Sequence, residues 1–83
     1  MTKAMSNQEK YDQAFVEAFS LEQADVNDDL KYNDIPEWDS IGHMALMAEL
    51  EDAFDISMET DDIVEFADYK KGKEILVKYG VQI

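Results

Sequence analysis

Apolar residues recur at helical spacing in several parts of the chain, whereas the period-2 alternation of β-strands is missing. The first apolar stripe falls at positions i, i+4, i+7 and i+8: Tyr11, Phe15, Ala18 and Phe19. This spacing predicts a helix from Asn7 to Phe19. Ser6 and Glu9 have the spacing of a capping box, which marks the start of that helix.

A second helix is predicted from Ser40 to Phe54, because two apolar sets repeat there at helical spacing. The core-facing set is His43, Leu46, Met47, Leu50 and Phe54. A second set covers a neighbouring face: Ile41, Met44, Ala45 and Ala48. A chain this short has little material to bury both sets, so we expect another molecule to cover the second one.

Two shorter helices are predicted after residue 59. Thr60 opens the first of them, with Asp61 and Asp62 near its positive end. We expect its inner side to consist of Ile63, Val64, Phe66 and Ala67. Asp68 can cap a last helix with lysines on its outer face, and Gly80 can end it. The apolar residues of this last helix are Tyr69, Ile75, Leu76 and Tyr79.

The segment from Ser20 to Trp38 has no helical pattern and is longer than most connections between helices. Pro36 disfavours helical angles at the residue before it, so the second helix begins later. We expect six apolar residues to fasten the segment to the core: Leu21, Val26, Leu30, Tyr32, Ile35 and Trp38.

These elements predict an all-α fold, a four-helix bundle with a long loop between helices 1 and 2 and a short third helix. Its 83 residues fit a single domain, residues 1–83, with one small core. Residues 1–5 are expected to fray.

The chain is strongly acidic, with 20 Asp and Glu against seven lysines and a formal net charge of −13. This charge opposes binding to nucleic acid or to anionic lipid. Nine of the acids lie between Glu49 and Asp68, where there is no basic residue. Such a run is either a solvated face or a surface that attracts basic partners.

The chain has no cysteine, which excludes disulfides and thiolate metal sites and agrees with a reducing compartment. It shows neither the apolar run of a signal peptide nor that of a membrane span. We therefore expect a cytoplasmic monomer.

Ser40 is the main candidate for chemistry, because it follows Asp39 at the predicted start of the second helix. Unpaired backbone amides and the helix dipole favour negative charge there. A phosphodiester attached to the serine oxygen would be stabilised by those amides. Gly42 is expected to leave space beside the serine for an approaching enzyme.

The stretch "DSIGHMALM", followed by "LEDAFDI", resembles the acyl and peptidyl carrier proteins. The signature of that family is Asp-Ser-(Leu/Ile/Met) at the start of a second helix that ends in a leucine, acids and a phenylalanine. The resemblance extends over about Ser6 to Tyr79 and includes the order of the helices, the long loop and the acidic third helix.

The resemblance implies that Ser40 is esterified with 4′-phosphopantetheine by a phosphopantetheinyl transferase that uses coenzyme A and magnesium. The thiol of that arm would carry acyl or aminoacyl groups as thioesters, so the chain itself would not be an enzyme. Asp39 would be recognised by the transferase, and Ile41 and Met44 would flank the arm. Other implied contacts are Glu51 and Asp52, which would meet ligases, synthases and transferases with basic docking surfaces.

The chain departs from the carriers of fatty acid synthesis at four positions around Ser40. It has Glu37 and Trp38 where they have a glycine and a small residue, and Gly42 and Ala45 where they have acids. "WDSIGHM" is more similar to free-standing specialised carriers of polysaccharide, lipid-modification or natural-product pathways.

The main alternative is an acidic helical adaptor without a prosthetic group, which would hold a partner on Ile41, Met44 and Ala48. Ser40 would then be a simple helix cap. Other chemistries have weaker patterns. An EF-hand loop begins at Asp25 but lacks its glycine and its final glutamate. His43 lacks a second ligand and is expected to pack inward, and no glycine elbow supports a Ser-His-Asp hydrolase.

Overall fold

A computed structural model describes residues 6–83, so the predicted fraying of residues 1–5 lies outside the described residues. Residues 6–83 form a small helical globule with four α-helices and no β-strand. The helices are α1 (Asn7–Phe19), α2 (Ser40–Phe54), α3 (Thr60–Glu65) and α4 (Tyr69–Lys78), and a 3₁₀ turn spans Gln23–Asp25. The predicted helical class and the bounds of the first two helices are confirmed.

Three of the helices begin at a side chain that accepts a hydrogen bond from the first turn. Ser6 and Glu9 form the predicted capping box of α1. Asp39 caps α2, and Asp68 caps α4 as predicted. These caps satisfy amides that have no partner within a helix, which fixes where each helix starts.

The core is built from aromatic rings between α1 and α2, the two helices that pack most extensively. Five of its members are 0–1% exposed: Tyr11, Phe15, Phe19, Trp38 and Phe66. Their rings meet mainly edge-to-face or tilted, and Phe15 contacts the other four. Such contacts add to the stabilisation from burial alone.

Helix α4 docks on this core through Tyr11, whose hydroxyl donates a hydrogen bond to the Tyr69 carbonyl at 2.6 Å. Burial is the main cause that raises the pKa of Tyr11, so its hydroxyl stays protonated as a donor. Gly72 is required by the same contact, because an added Cβ would lie 2.1 Å from the Tyr11 oxygen.

The long connection between α1 and α2 is fixed to the core, as predicted, by five of its six apolar residues. Val26, Leu30 and Trp38 are buried, and Leu21 and Ile35 pack against the core while partly exposed. Tyr32 is the exception, at 38% exposure.

Backbone hydrogen bonds also attach this connection to the segment between α3 and α4. The Tyr69 amide donates to the Leu30 carbonyl, and the Tyr32 amide donates to the Ala67 carbonyl, both at 2.9 Å. The connection is therefore held at its middle as well as at its ends, although it has little regular structure.

Helix α3 begins at Thr60 as predicted, but Glu59 occupies its cap position and no side chain caps it. The predicted inner side of this helix is wrong at two positions: Val64 is 75% exposed, and Ala67 is also exposed. The buried residue of this helix is Asp62 instead. Its carboxylate is satisfied there by hydrogen bonds from Lys78 Nζ at 2.6 Å and from the Tyr79 hydroxyl at 2.5 Å. This ionic contact ties α3 to the end of α4.

Replacing Asp62 by asparagine is expected to lower the free energy of unfolding near neutral pH. The hydrogen bond from Lys78, followed by that from Tyr79, lowers the pKa of Asp62 below its ordinary value of 3.8. A pKa lowered by folding contributes stability above pH 3.8, and that stability is lost as the pH falls through the folded-state value. Urea unfolding should therefore separate wild type from Asp62→Asn at about pH 7, and the separation should shrink as the pH falls below 3.8.

Asp61→Asn is the control for this experiment, because Asp61 is an exposed acid of the same helix. Its unfolding curve should stay closer to wild type near neutral pH than that of Asp62→Asn, because an exposed acid in the first turn of a helix contributes only about 0.3–1 kcal/mol. An Asp62→Asn curve that coincides with wild type near neutral pH would contradict a stabilising role for the contact with Lys78.

None of the helices within residues 6–83 combines the length and the apolar character that crossing a membrane requires.

Candidate functional site

Ser40 is exposed and is the first residue of α2. The preceding residue, Asp39, has extended backbone angles, and its Oδ1 accepts a hydrogen bond from the Gly42 amide at 2.8 Å. The amides of Ser40 and Ile41 have no hydrogen-bond acceptor among the described residues. Two unpaired donors and the positive end of the helix dipole therefore lie beside the Ser40 side chain.

The Ser40 oxygen lies 3.2 Å from the hydroxyl of Tyr32, and either group can be the donor. His43, one helical turn away, is buried, and its ring nitrogens bond to groups other than Ser40. Its Nδ1 accepts a hydrogen bond from Trp38 Nε1 at 2.9 Å, so its Nε2 carries the proton and donates to the Ile63 carbonyl at 2.8 Å. Both ring nitrogens are engaged, so His43 is placed as a packed histidine, as predicted, and not as a base for Ser40.

Gly42 has a different role from the one that the sequence suggests. An added Cβ would lie 1.8 Å from the Glu37 carbonyl oxygen and 3.2 Å from Phe19 Cε1. The missing side chain therefore makes room for the chain's own approach to α2, and not for a visiting enzyme. This close approach holds the turn before Ser40 against the helix.

A groove of about 410 Å³ opens next to Ser40, between α2 and α3. Its walls are mostly apolar and consist of Tyr32, Ser40, His43, Met44, Ile63, Val64, Phe66 and Ala67. Val64 and Ala67, which sequence reasoning placed in the core, form part of this wall. The helical period could not reveal this, because α3 has only six residues and its inner face is filled by Asp62.

The second apolar face of α2 is uncovered, as predicted. Ile41 is 82% exposed and Met44 is 55% exposed, and Ala45 and Ala48 are also exposed. A group of exposed apolar side chains on one helix face is a candidate interaction surface.

The two acids expected to meet basic partners differ in their surroundings. Asp52 is exposed. Glu51 is partly buried, and its Oε2 accepts a hydrogen bond from the Met58 amide at 2.8 Å. Glu51 therefore fastens the segment after α2, a role that the sequence did not indicate.

The acidic connection forms local turns instead of a cation-binding loop. The Asn27 side chain accepts a hydrogen bond from the Asp29 amide at 2.9 Å. Within residues 6–83, no group of three or more His, Cys, Asp or Glu side chains is placed to hold a metal ion.

Comparisons of the chain with protein-family models, with curated proteins and with solved structures found no match. The geometry around Ser40 and the sequence pattern are therefore the basis for a functional proposal.

Proposed function

We propose that the chain is an acyl or peptidyl carrier domain, a four-helix bundle with a long loop between its first two helices. Ser40 would carry 4′-phosphopantetheine, whose thiol supplies thioester chemistry for acyl or aminoacyl groups. The observation that carries this proposal is an exposed serine at the start of α2, beside two unpaired amides and at the rim of an apolar groove. The Asp-Ser-Ile pattern at this position adds to it.

The residues around Ser40 fit a phosphodiester. The unpaired amides of Ser40 and Ile41 can donate to its oxygens, and the helix dipole favours its charge. The negative charge of Asp39 repels a phosphodiester, but its carboxylate already accepts a hydrogen bond from the Gly42 amide. In the proposed function, Asp39 both starts α2 and is recognised by the phosphopantetheinyl transferase.

The proposed docking surface for partner enzymes is the exposed apolar face of α2, consisting of Ile41, Met44 and Ala48. The acids that follow it, Asp52 among them, attract ligases, synthases and transferases with basic surfaces. Charge attraction between exposed groups gives fast, salt-sensitive and weak encounters, which suit repeated transfer of one cargo. Tethering the cargo to Ser40 raises its effective concentration at each partner.

Incubation with coenzyme A, magnesium and a broad-range phosphopantetheinyl transferase tests the proposal. Intact-mass spectrometry should show that the wild-type chain gains the mass of one phosphopantetheine group. A chain that stays unmodified, under conditions that fully load a known carrier, would contradict the proposal. That result would favour an acidic adaptor that uses the Ile41, Met44 and Ala48 face without a prosthetic group.

Replacing Asp39 separates its two proposed roles. Asp39→Ala removes the cap of α2 and is expected to lower the free energy of unfolding by about 0.5–2 kcal/mol. Asp39→Asn keeps a capping oxygen and should cost much less. Both variants are expected to be loaded more slowly than wild type, because both lose the carboxylate.

Urea unfolding and loading rates measure the two effects, with Asp68→Asn as the control. Asp68 is the corresponding cap of α4 and is also an aspartate. Its amide variant should load at the wild-type rate. Wild-type loading of Asp39→Asn would show that the carboxylate is not recognised.

A further inference from the structure

We propose that Tyr32 is the positioning residue for the group attached to Ser40. Its hydroxyl donates a hydrogen bond to the phosphodiester and so orients the start of the arm along the groove. This inference rests on the proposed function and adds to it a residue outside the carrier signature.

The first observation is the pairing of Tyr32 with the oxygen that would be modified. The two hydroxyl oxygens lie 3.2 Å apart. When Ser40 is esterified, its oxygen loses its proton and can no longer donate, while charged phosphate oxygens appear two bonds away, on the attached phosphorus. Tyr32 then becomes the donor of the pair, and a hydrogen bond to an ionised acceptor is stronger than one between two neutral hydroxyls.

The second observation is that the Tyr32 ring is held in place although its residue is partly exposed. Its ring stands edge-on to Trp38 and to His43, with centroid distances of 6.3 and 5.5 Å. Those two rings are joined by their own hydrogen bond, and the Tyr32 amide is bonded to the Ala67 carbonyl. The hydroxyl is therefore positioned before any group is attached, which reduces the entropy lost on binding.

The third observation is the position of Tyr32 in the wall of the groove, which it shares with Ser40 and Met44. Asp39 directly precedes Ser40 and is not part of that wall, and its carboxylate repels a phosphate. A neutral donor in the groove wall and a negative charge at the helix cap together favour one direction for the arm, toward the groove.

Phosphorus NMR of the loaded protein tests this inference. The ³¹P resonance of loaded Tyr32→Phe should be shifted from that of loaded wild type in the folded state, and the two should coincide in urea. Phenylalanine keeps the ring and removes only the hydroxyl. Val64→Ala is the control, since Val64 lines the same groove without a polar group, and its ³¹P resonance should stay at the wild-type position.

Wild-type protein labelled with ¹³C at the tyrosine Cζ gives a second readout that needs no variant. Loading should move the Tyr32 signal and leave the signals of Tyr11, Tyr69 and Tyr79 in place. Mass spectrometry before each spectrum keeps the two proposals apart, because a wild-type chain that takes no arm contradicts the carrier function itself. A loaded protein whose Tyr32 signal does not move, or whose ³¹P resonance is the same in Tyr32→Phe, overturns the role of Tyr32.

Discussion

Ser40→Ala is expected to abolish loading completely, from one phosphopantetheine group per chain to none. The ester bond requires the serine oxygen, and alanine supplies none. The fold should survive this change, because Ser40 is exposed and the cap of α2 is the side chain of Asp39. Such a surface substitution changes the free energy of unfolding by within about 0.5 kcal/mol. Intact-mass spectrometry measures loading, and thermal unfolding measures stability.

Ser57→Ala is the matched control for this experiment. Ser57 is also an exposed serine, but it lies after the end of α2, away from the amides that favour negative charge. This variant should gain one arm at the wild-type rate. If Ser40→Ala is still modified, the attachment site is another hydroxyl, and the proposal built on the start of α2 is wrong.

Trp38→Ala is expected to have the largest effect on stability, about 3–5 kcal/mol, because it removes a large buried ring. Trp38 is fully buried between Phe15 and Phe19 of α1 and Phe66 beyond α3. A domain of this size has a total stability of the same order, about 0.05–0.15 kcal/mol per residue. A measurable fraction of this variant should therefore be unfolded without denaturant.

Trp38→Phe separates ring packing from the hydrogen bond to His43. Phenylalanine refills most of the space but leaves His43 Nδ1 without its donor, which costs about 1–3 kcal/mol. Urea unfolding followed by circular dichroism measures both variants, since Trp38 is the single tryptophan and its fluorescence is lost in each. Equal stability of Trp38→Phe and wild type would show that the hydrogen bond contributes nothing.

The sequence predicted the two long helices and the caps of α1 and α4 well, because these features are local. Tyr11, Phe15 and Phe19 repeat with the helical period, and Ser6 and Asp68 are residue types that accept hydrogen bonds from a first turn. The cap of α2 is Asp39 and not Ser40, and no side chain caps α3. The exposed face of α2 was also predictable, since one helix in a short chain cannot bury apolar residues on two faces.

The features that the sequence could not give depend on contacts between distant segments. Val64 was placed in the core because it is apolar, whereas the space inside α3 is filled by Asp62 paired with Lys78, 16 positions away. Tyr32 was expected in the core because it is a large aromatic residue. Its contact with Ser40 depends on the path of an irregular connection. Gly42 suggested open space, but the space is filled by the Glu37 carbonyl.

The bonds that hold α3 have a consequence for what the groove can admit. A helix of six residues is not stable alone in water, so α3 takes its position from its neighbours. Asp62 attaches it to α4, and the Ile63 carbonyl attaches it to His43 of α2. Loosening either bond is expected to shift Ile63 and Val64 together, because both belong to this short helix. The width of the cleft is therefore set by two polar links at neighbouring residues in the middle of α3. If the chain carries a cargo as proposed, substitutions of these links are expected to change the size of cargo accepted more than substitutions of the apolar walls.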